Sequence, residues 1–232
     1  MKDTAPVITI DGPSGSGKGT LSQLLAKKLN WHYLDSGVLY RALAVAVERQ
    51  QVALSDQTIV KIAQSLPVNF LEDTGGSFKI MLGAEDISTA IRTETCSRLA
   101  SQVSSLAEVR LALMERQRAF RQPPGLVTDG RDMGTIIFPD AELKFFLTAS
   151  AEERARRRFN QLKESGNNVS LSEILAELSA RDKRDTERAV APLVPAVDAI
   201  IIDTSTMGIG QVLQLILEHV AKRFINVENG CC

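Results

Sequence analysis

The chain has 232 residues, 44% of them hydrophobic and 24% charged, with a formal net charge of -1. That length suits one α/β domain with small inserts rather than two full domains, and the composition is that of a chain able to bury a core. Near-neutral charge excludes both a global basic field for nucleic acid and the acidic excess of a disordered chain, so any case for anion binding must rest on local groups.

The opening residues, Met1 to Pro6, contain no apolar stretch or cleavage site of a secretory signal, and no apolar run approaches the length of a membrane span. The cytoplasm is the expected compartment. Val7 to Ile10 reads as a short strand, and Gly12-Pro13-Ser14-Gly15-Ser16-Gly17-Lys18-Gly19-Thr20 follows it directly. A helix with an apolar stripe of Leu21, Leu24, Leu25 and Leu29 comes next. Strand, glycine-rich loop and helix are the context in which backbone N–H groups and a helix N-terminus cradle the phosphates of a nucleotide. Lys18 then acts as a point charge between the β- and γ-phosphates. The generic loop has Ser or Thr directly after the lysine as a Mg2+ ligand; here that place is Gly19, and Thr20 follows. The plainer alternative is a structural turn with a chance lysine.

Trp31 to Leu34 reads as a second strand, closed by Asp35-Ser36-Gly37 ahead of another helix. Ser36 is the expected N-cap, offering a second anion niche, with Tyr40 over the same face and Arg41 adjacent. An ordinary cap beside a surface arginine is the alternative. Between Val68 and Ile87 the pattern changes: two alternating runs flank Thr74-Gly75-Gly76-Ser77, a hairpin turn signal, so a small antiparallel insert is expected.

Leu126 to Thr128 is a third strand of the main sheet and runs into Asp129-Gly130-Arg131-Asp132. An acid at such a strand end commonly organises Mg2+, which is the role expected of Asp129, while Arg131 suits a phosphate and Asp132 a base or ribose. A polar turn is the alternative. After a fourth strand, Leu143 to Leu147, Ser150 and Glu153 form an expected capping box. The helix behind it carries Arg154, Arg157 and Arg158 on one face and Ala155, Phe159 and Leu162 on another, and Gly166-Asn167-Asn168 ends it. Cations on a closing lid would stabilise a phosphoryl group in transfer; a solvated basic face is the alternative. Ser170 and Glu173 form a second box, and the stripe Leu171, Ile174, Leu175 and Leu178 continues into Arg181, Asp185 and Arg188. Groups of that kind on an inward face should meet a polar ligand or one another. Ala199 to Ile202 and a helix striped by Val212, Leu215, Ile216, His219 and Val220 complete the pattern. Alternating strands and helices argue for a parallel α/β sheet. Cys96, Cys231 and Cys232 form neither a disulfide framework nor, with His32 and His219, a zinc site, and the last two read as an inert tail.

Five segments together resemble the bacterial cytidylate kinase family along nearly the whole chain: Gly12 to Thr20, Leu34 to Arg41, Asp129 to Thr135, Phe138 to Ala141, and Arg181 to Leu193. The resemblance implies a P-loop NTPase-like α/β fold, with a five-stranded parallel sheet flanked by helices, a small antiparallel β insert in the nucleoside monophosphate-binding lobe, and a helical lid. A single domain, 1–232, is expected to comprise a core (1–35, 111–150, 190–232), that lobe (36–110), and the lid with its following helix (151–189). The implied reaction is ATP plus CMP or dCMP giving ADP plus CDP or dCDP, with ATP and Mg2+ as cofactors and no nucleic-acid or membrane partner; a monomer is expected. Gly12 to Thr20 would hold the donor. Lys18, Asp129, Arg131, Arg154, Arg157 and Arg158 would serve the transfer, with Mg2+ reached through Asp129 or Thr20. Ser101, Arg110 and Asp132, helped by Arg188, would read cytosine; Arg181 and Asp185 would hold the ribose; Ser36, Arg41, Arg131 and Arg188 would hold the acceptor phosphate. A GTPase switch is the non-enzyme rival, but it wants Asn-Lys-x-Asp, and Asp182-Lys183-Arg184-Asp185 has the wrong first residue. A P-loop kinase for UMP or shikimate is the rival within the class.

Overall fold

The structure, a computed structural model, describes residues 4–55, 57–72, 78–164 and 169–225. Two compact units emerge, one of Met1–Leu34 with Arg118–Cys232 and one of Asp35–Gln117. Eight strands are described: β1 (Val7–Asp11), β2 (His32–Asp35), β3 (Val68–Glu72), β4 (Phe78–Leu82), β5 (Glu85–Asp86), β6 (Leu126–Gly130), β7 (Leu143–Thr148) and β8 (Ile200–Asp203). The main sheet has the order β2-β6-β1-β7-β8, and β3-β4-β5 form a separate sheet.

β1 lies at the centre of the main sheet, parallel to β6 with Val7 opposite Leu126 and to β7 with Ile8 opposite Leu143; β7 runs parallel to β8. Every residue of β1 and β6 is buried, which is why both read as unbroken runs without polar alternation. Helices α1 (Lys18–Leu29) and α8 (Ile209–Val220) pack on Ile8, Ile10, Val127, Phe145, Leu147 and Ile202 through Leu21, Leu25, Ala26, Val212, Leu213 and Ile216. Each such side chain contributes roughly 1.5–3 kcal/mol relative to exposure. The expected stripe of α1 is corrected in one place: Leu24 is 37% exposed, and small Ser22 and Ala26 face inward instead. Parallel strands bring the C-terminal ends of β1, β6, β7 and β8 to one edge, where an α/β sheet carries its ligands.

Helices α6 (Ala151–Glu164) and α7 (Leu171–Glu187) pack through Ala155, Ile174 and Leu178, with Phe159, Leu162, Val169 and Leu175 around them. Leu171, expected in the inward stripe, is 48% exposed, and Val169, just before the helix, packs against the cluster instead. The expected stop at Gly166-Asn167-Asn168 lies outside the described residues.

The smaller unit is organised by α2 (Ser36–Arg49), buried almost all round from Val38 to Val47. α3 (Thr58–Gln64), α4 (Glu94–Val103) and α5 (Ala107–Arg118) accompany it. β3 and β4 pair antiparallel with Val68 opposite Leu82, as the alternation required, and β5 adds a third strand. The hairpin turn expected at Thr74 to Ser77 lies outside the described residues, as does the Cys231-Cys232 tail. Arg116 joins sheet to helix, donating to the carbonyls of Leu66 at 2.5 Å and Val68 at 2.7 Å. No described helix is long and apolar enough to cross a membrane.

Candidate active site

The loop between β1 and α1 can exist only with glycine at its tightest points. Gly12 has φ 150°, and a Cβ there would lie 2.2 Å from the carbonyl oxygen of Leu147 in β7. Gly15 has φ 78°, with the Cβ of Arg154 3.0 Å from where its own would stand. Carbonyls of this loop are taken by cations and a hydroxyl. Lys18 Nζ donates to Pro13 O at 3.1 Å, Arg154 to Ser14 O at 3.1 Å, and Arg157 at 3.5 Å and Thr204 at 3.2 Å both reach Ser16 O. With its carbonyls so occupied, the loop offers an incoming anion its N–H groups and the first turn of α1.

The Asp129–Asp132 turn and the end of α7, separate signals in the sequence, interlock in the fold. Arg131 Nε donates to Asp185 Oδ2 at 2.8 Å, and its Nη2 donates to Ser14 Oγ at 2.7 Å, so one guanidinium bridges α7 and the phosphate loop. Arg188 lies 3.7 Å from Asp132, both buried. Its Nε donates to Ala191 O, which steadies Ala191 in a left-handed conformation at φ 53°. Burial pushes the Asp185 carboxyl upward, but Arg131, Arg181 and Arg188 outweigh it and hold the group below the usual carboxylate range. Asp185 of α7 and Arg188 just past its end therefore meet partners from the turn.

The arginines of α6 divide. Arg154 is buried, bonded to Ala149 O at 3.0 Å and paired with Asp182 of α7 at 2.6 Å, besides its bond to the loop. Arg157 is held by Glu153 at 2.9 Å and by Thr204 through Oγ1 at 3.1 Å and O at 2.5 Å. Arg158 bonds Gln161 at 2.9 Å, outside this group. The capping box expected at Ser150 is only half formed. Ser150 Oγ accepts the Glu153 N–H at 3.2 Å, but the Ser150 N–H goes to Ser205 Oγ, leaving the Glu153 carboxylate to Arg156 and Arg157.

In the smaller unit Ser36, Ser101 and Arg110 are all buried. The Arg110 guanidinium sits over the Tyr40 ring, 5.5 Å from its centroid, and donates to Ser104 O at 3.0 Å. Arg41 lies 4.0 Å from Asp35. The cap of α2 needs correction: Asp35, not Ser36, is the N-cap and accepts the Gly37 N–H at 2.8 Å. A carboxylate competes well with a hydroxyl for that donor because it also meets the helix dipole. A cavity of about 300 Å³ lined by Ala46, Arg49, Lys61, Pro67 and Leu82 contains none of the expected site residues.

Sequence reasoning missed four contributors. Asp11 ends β1, buried, accepting the N–H groups of Met133 at 3.0 Å and Gly134 at 2.8 Å; burial, aided by the charge of Asp132, lifts its carboxyl to about 6. A lone acid closing an apolar strand before the glycine loop was the available signal. Tyr33 donates to Asp129 Oδ2 at 2.7 Å. Asp182, the partner of Arg154, looked like one charge among many, and Thr204 stands just past β8 with no motif to mark it. Among oxygen donors that could face a cation, Asp129 is buried at the end of β6 and Thr20 is exposed on α1. No three acidic, histidine or cysteine side chains converge among the described residues.

A family model described as cytidylate kinase matches residues 8–222. The chain is similar to the cytidylate kinase of Shewanella sp. (strain MR-4), 54% identical over 97% of this chain and 99% of that one. It is 58% identical to the cytidylate kinase of Stutzerimonas stutzeri (strain A1501), over 96% of this chain and 98% of that one. A solved structure of an uncharacterized protein from Eubacterium ventriosum shares the fold, with a TM-score of 0.51 at 14% identity, covering 94% of this chain and 99% of that chain.

Proposed function

The chain belongs to the cytidylate kinase family, and from that premise we propose that it transfers the γ-phosphoryl group of ATP to CMP or dCMP, giving ADP and CDP or dCDP. The observation that carries this reading is the bridge from Ser14 of the phosphate loop through Arg131 to Asp185 of α7, which ties a donor cradle to a buried, mixed-charge acceptor cradle. Transfer is in line and needs no covalent intermediate, so catalysis is positioning and charge stabilisation. Lys18 would exchange Pro13 O for phosphate oxygens. Arg131 would turn from carboxylate and hydroxyl toward the phosphates, and Arg154 and Arg157 would add charge from α6 acting as a lid. The acceptor phosphate is already an anion, so no general base is required.

Asp132, buried beside Arg188, would accept from the cytosine N4 amino group and repel the O4 of uracil, worth on the order of 1–3 kcal/mol. Ser101 and Arg110 would complete that reading, Arg181 and Asp185 would hold the ribose, and Ser36, Arg41 and Arg188 the acceptor phosphate. Family membership implies ATP with Mg2+. The residues fit a cation that arrives with the nucleotide, since Mg2+ keeps several waters and takes one or two carboxylates, and Asp129 offers one. Such an ion would neutralise charge on the donor phosphates. The smaller unit with its antiparallel sheet would be the nucleoside monophosphate-binding lobe, and the protein would work in the cytoplasm as a monomer.

A coupled assay for ADP with CMP, dCMP, UMP, AMP and shikimate as acceptors tests the proposal. CMP and dCMP should be turned over at least tenfold more efficiently than UMP, in keeping with one lost polar pairing. Free phosphate as the sole product, or preference for another acceptor, would refute it.

A further inference from the structure

Gly19, where the generic loop has a hydroxyl residue, sits in the first turn of α1. A Cβ built there would meet nothing nearer than Tyr33 Oη, at 4.0 Å. Neither a left-handed φ nor a Cβ collision therefore demands glycine at this position. That same Tyr33 hydroxyl donates to Asp129 Oδ2 at 2.7 Å. Tyr33 projects from β2, its ring packed against the core cluster beneath the sheet, and Asp129 ends the neighbouring β6. Three residues on three elements thus converge: a strand-end carboxylate, a phenol that orients it, and a glycine that leaves the phenol room.

We infer that Tyr33 is a positioning residue for the cation that accompanies the donor nucleotide, its hydroxyl standing where a loop Ser or Thr hydroxyl would otherwise reach the same region. Mg2+ accepts only near-octahedral geometry, so a ligand carboxylate free to rotate binds it less well than one fixed by a charge-assisted hydrogen bond. Loss of such an outer partner typically weakens metal binding about 10- to 100-fold. This inference rests on the phosphotransferase reading and adds to it a residue that orients the strand-end carboxylate.

The test uses the full chain with Mn2+ as the probe, its free concentration followed by electron paramagnetic resonance during titration of the protein–ADP complex. Tyr33→Phe keeps the ring and its packing; it should weaken Mn2+ about tenfold, while ADP affinity in EDTA stays as in the parent chain. Gly19→Ser in the Tyr33→Phe background should regain part of the loss, and Tyr33→Phe should add nothing to Asp129→Asn. Unchanged Mn2+ affinity in Tyr33→Phe overturns the inference, and so does an equal loss of ADP affinity in EDTA, which would mark Tyr33 as a mere prop for the loop. A parent chain whose ADP complex binds no Mn2+ would instead strike at the phosphotransferase reading itself.

Discussion

α6 and α7 begin alike, each headed by a serine with a glutamate three residues on, yet they use their charges in opposite ways. At α7 the box closes: Ser170 Oγ accepts the Glu173 N–H and the Glu173 carboxylate accepts the Ser170 N–H, both at 3.3 Å. The glutamate serves its own helix, and the acids that matter, Asp182 and Asp185, lie near the far end. At α6 the box stays open, and Glu153 orients Arg157 toward Thr204 and the loop carbonyl of Ser16. One helix supplies arginines to the loop carbonyls, and the other supplies acids that pair with arginines, Asp182 with Arg154 and Asp185 with Arg131, with apolar packing between the helices. The lesson is that identical capping signals in sequence do not carry identical roles; what a carboxylate does depends on which donor lies nearer once the helix is docked.

The sharpest way to break this arrangement is Asp185→Ala, which leaves the largely covered Arg131 without its carboxylate. It should cost about 3–5 kcal/mol in urea unfolding and abolish most transfer activity. A buried acid held chiefly by backbone N–H groups gives the next largest contrast. The Asp11 carboxyl stands at about 6 against an ordinary 3.8, so between those values the folded chain keeps a proton that the unfolded chain has released. Stability from this group therefore falls as pH rises through that window. Asp11→Asn should remove on the order of 2–3 kcal/mol of that decline, read from unfolding curves between pH 4 and 7. Asp185 has the reverse sign: its stabilisation is present at neutral pH and fades as acid titrates its lowered carboxyl.

Asp182→Ala should cost less than Asp185→Ala, about 1–2 kcal/mol, because Arg154 keeps its bonds to Ala149 O and Ser14 O. An equal cost for the two would erase the distinction between them. Smallest of all, Ser170→Ala should lose about 1 kcal/mol. Glu173→Gln should then change stability but not turnover, whereas Glu153→Gln should lower kcat, since it loosens Arg157; identical kinetics for both variants would break the comparison between the helices.

Much of this was legible beforehand. The strands of the main sheet were placed within two residues of their ends, and for β1 and β6 the reason is that a strand buried on both faces needs an uninterrupted apolar run. The glycine-rich loop was legible as a loop because its glycines answer a local backbone demand. The buried end of α7 was visible as charge on an apolar stripe, although its partners were not. Asp11, Tyr33 and Thr204 escaped notice since each is ordinary in its own sequence neighbourhood and acquires a role only from a strand or loop that arrives from elsewhere.

What the amino-acid order determined by itself was everything governed by local rules: periodicity, caps, the strand–loop–helix around Lys18 and the family to which the motifs belong. Only the tertiary structure decided which arginine meets which acid, that Ser14 joins Arg131, and that Asp35 rather than Ser36 caps α2. The physical reason is that a hydrogen bond or ion pair is set by distances of about 3 Å between groups that can be a hundred residues apart, and that proximity follows from how strands and helices pack.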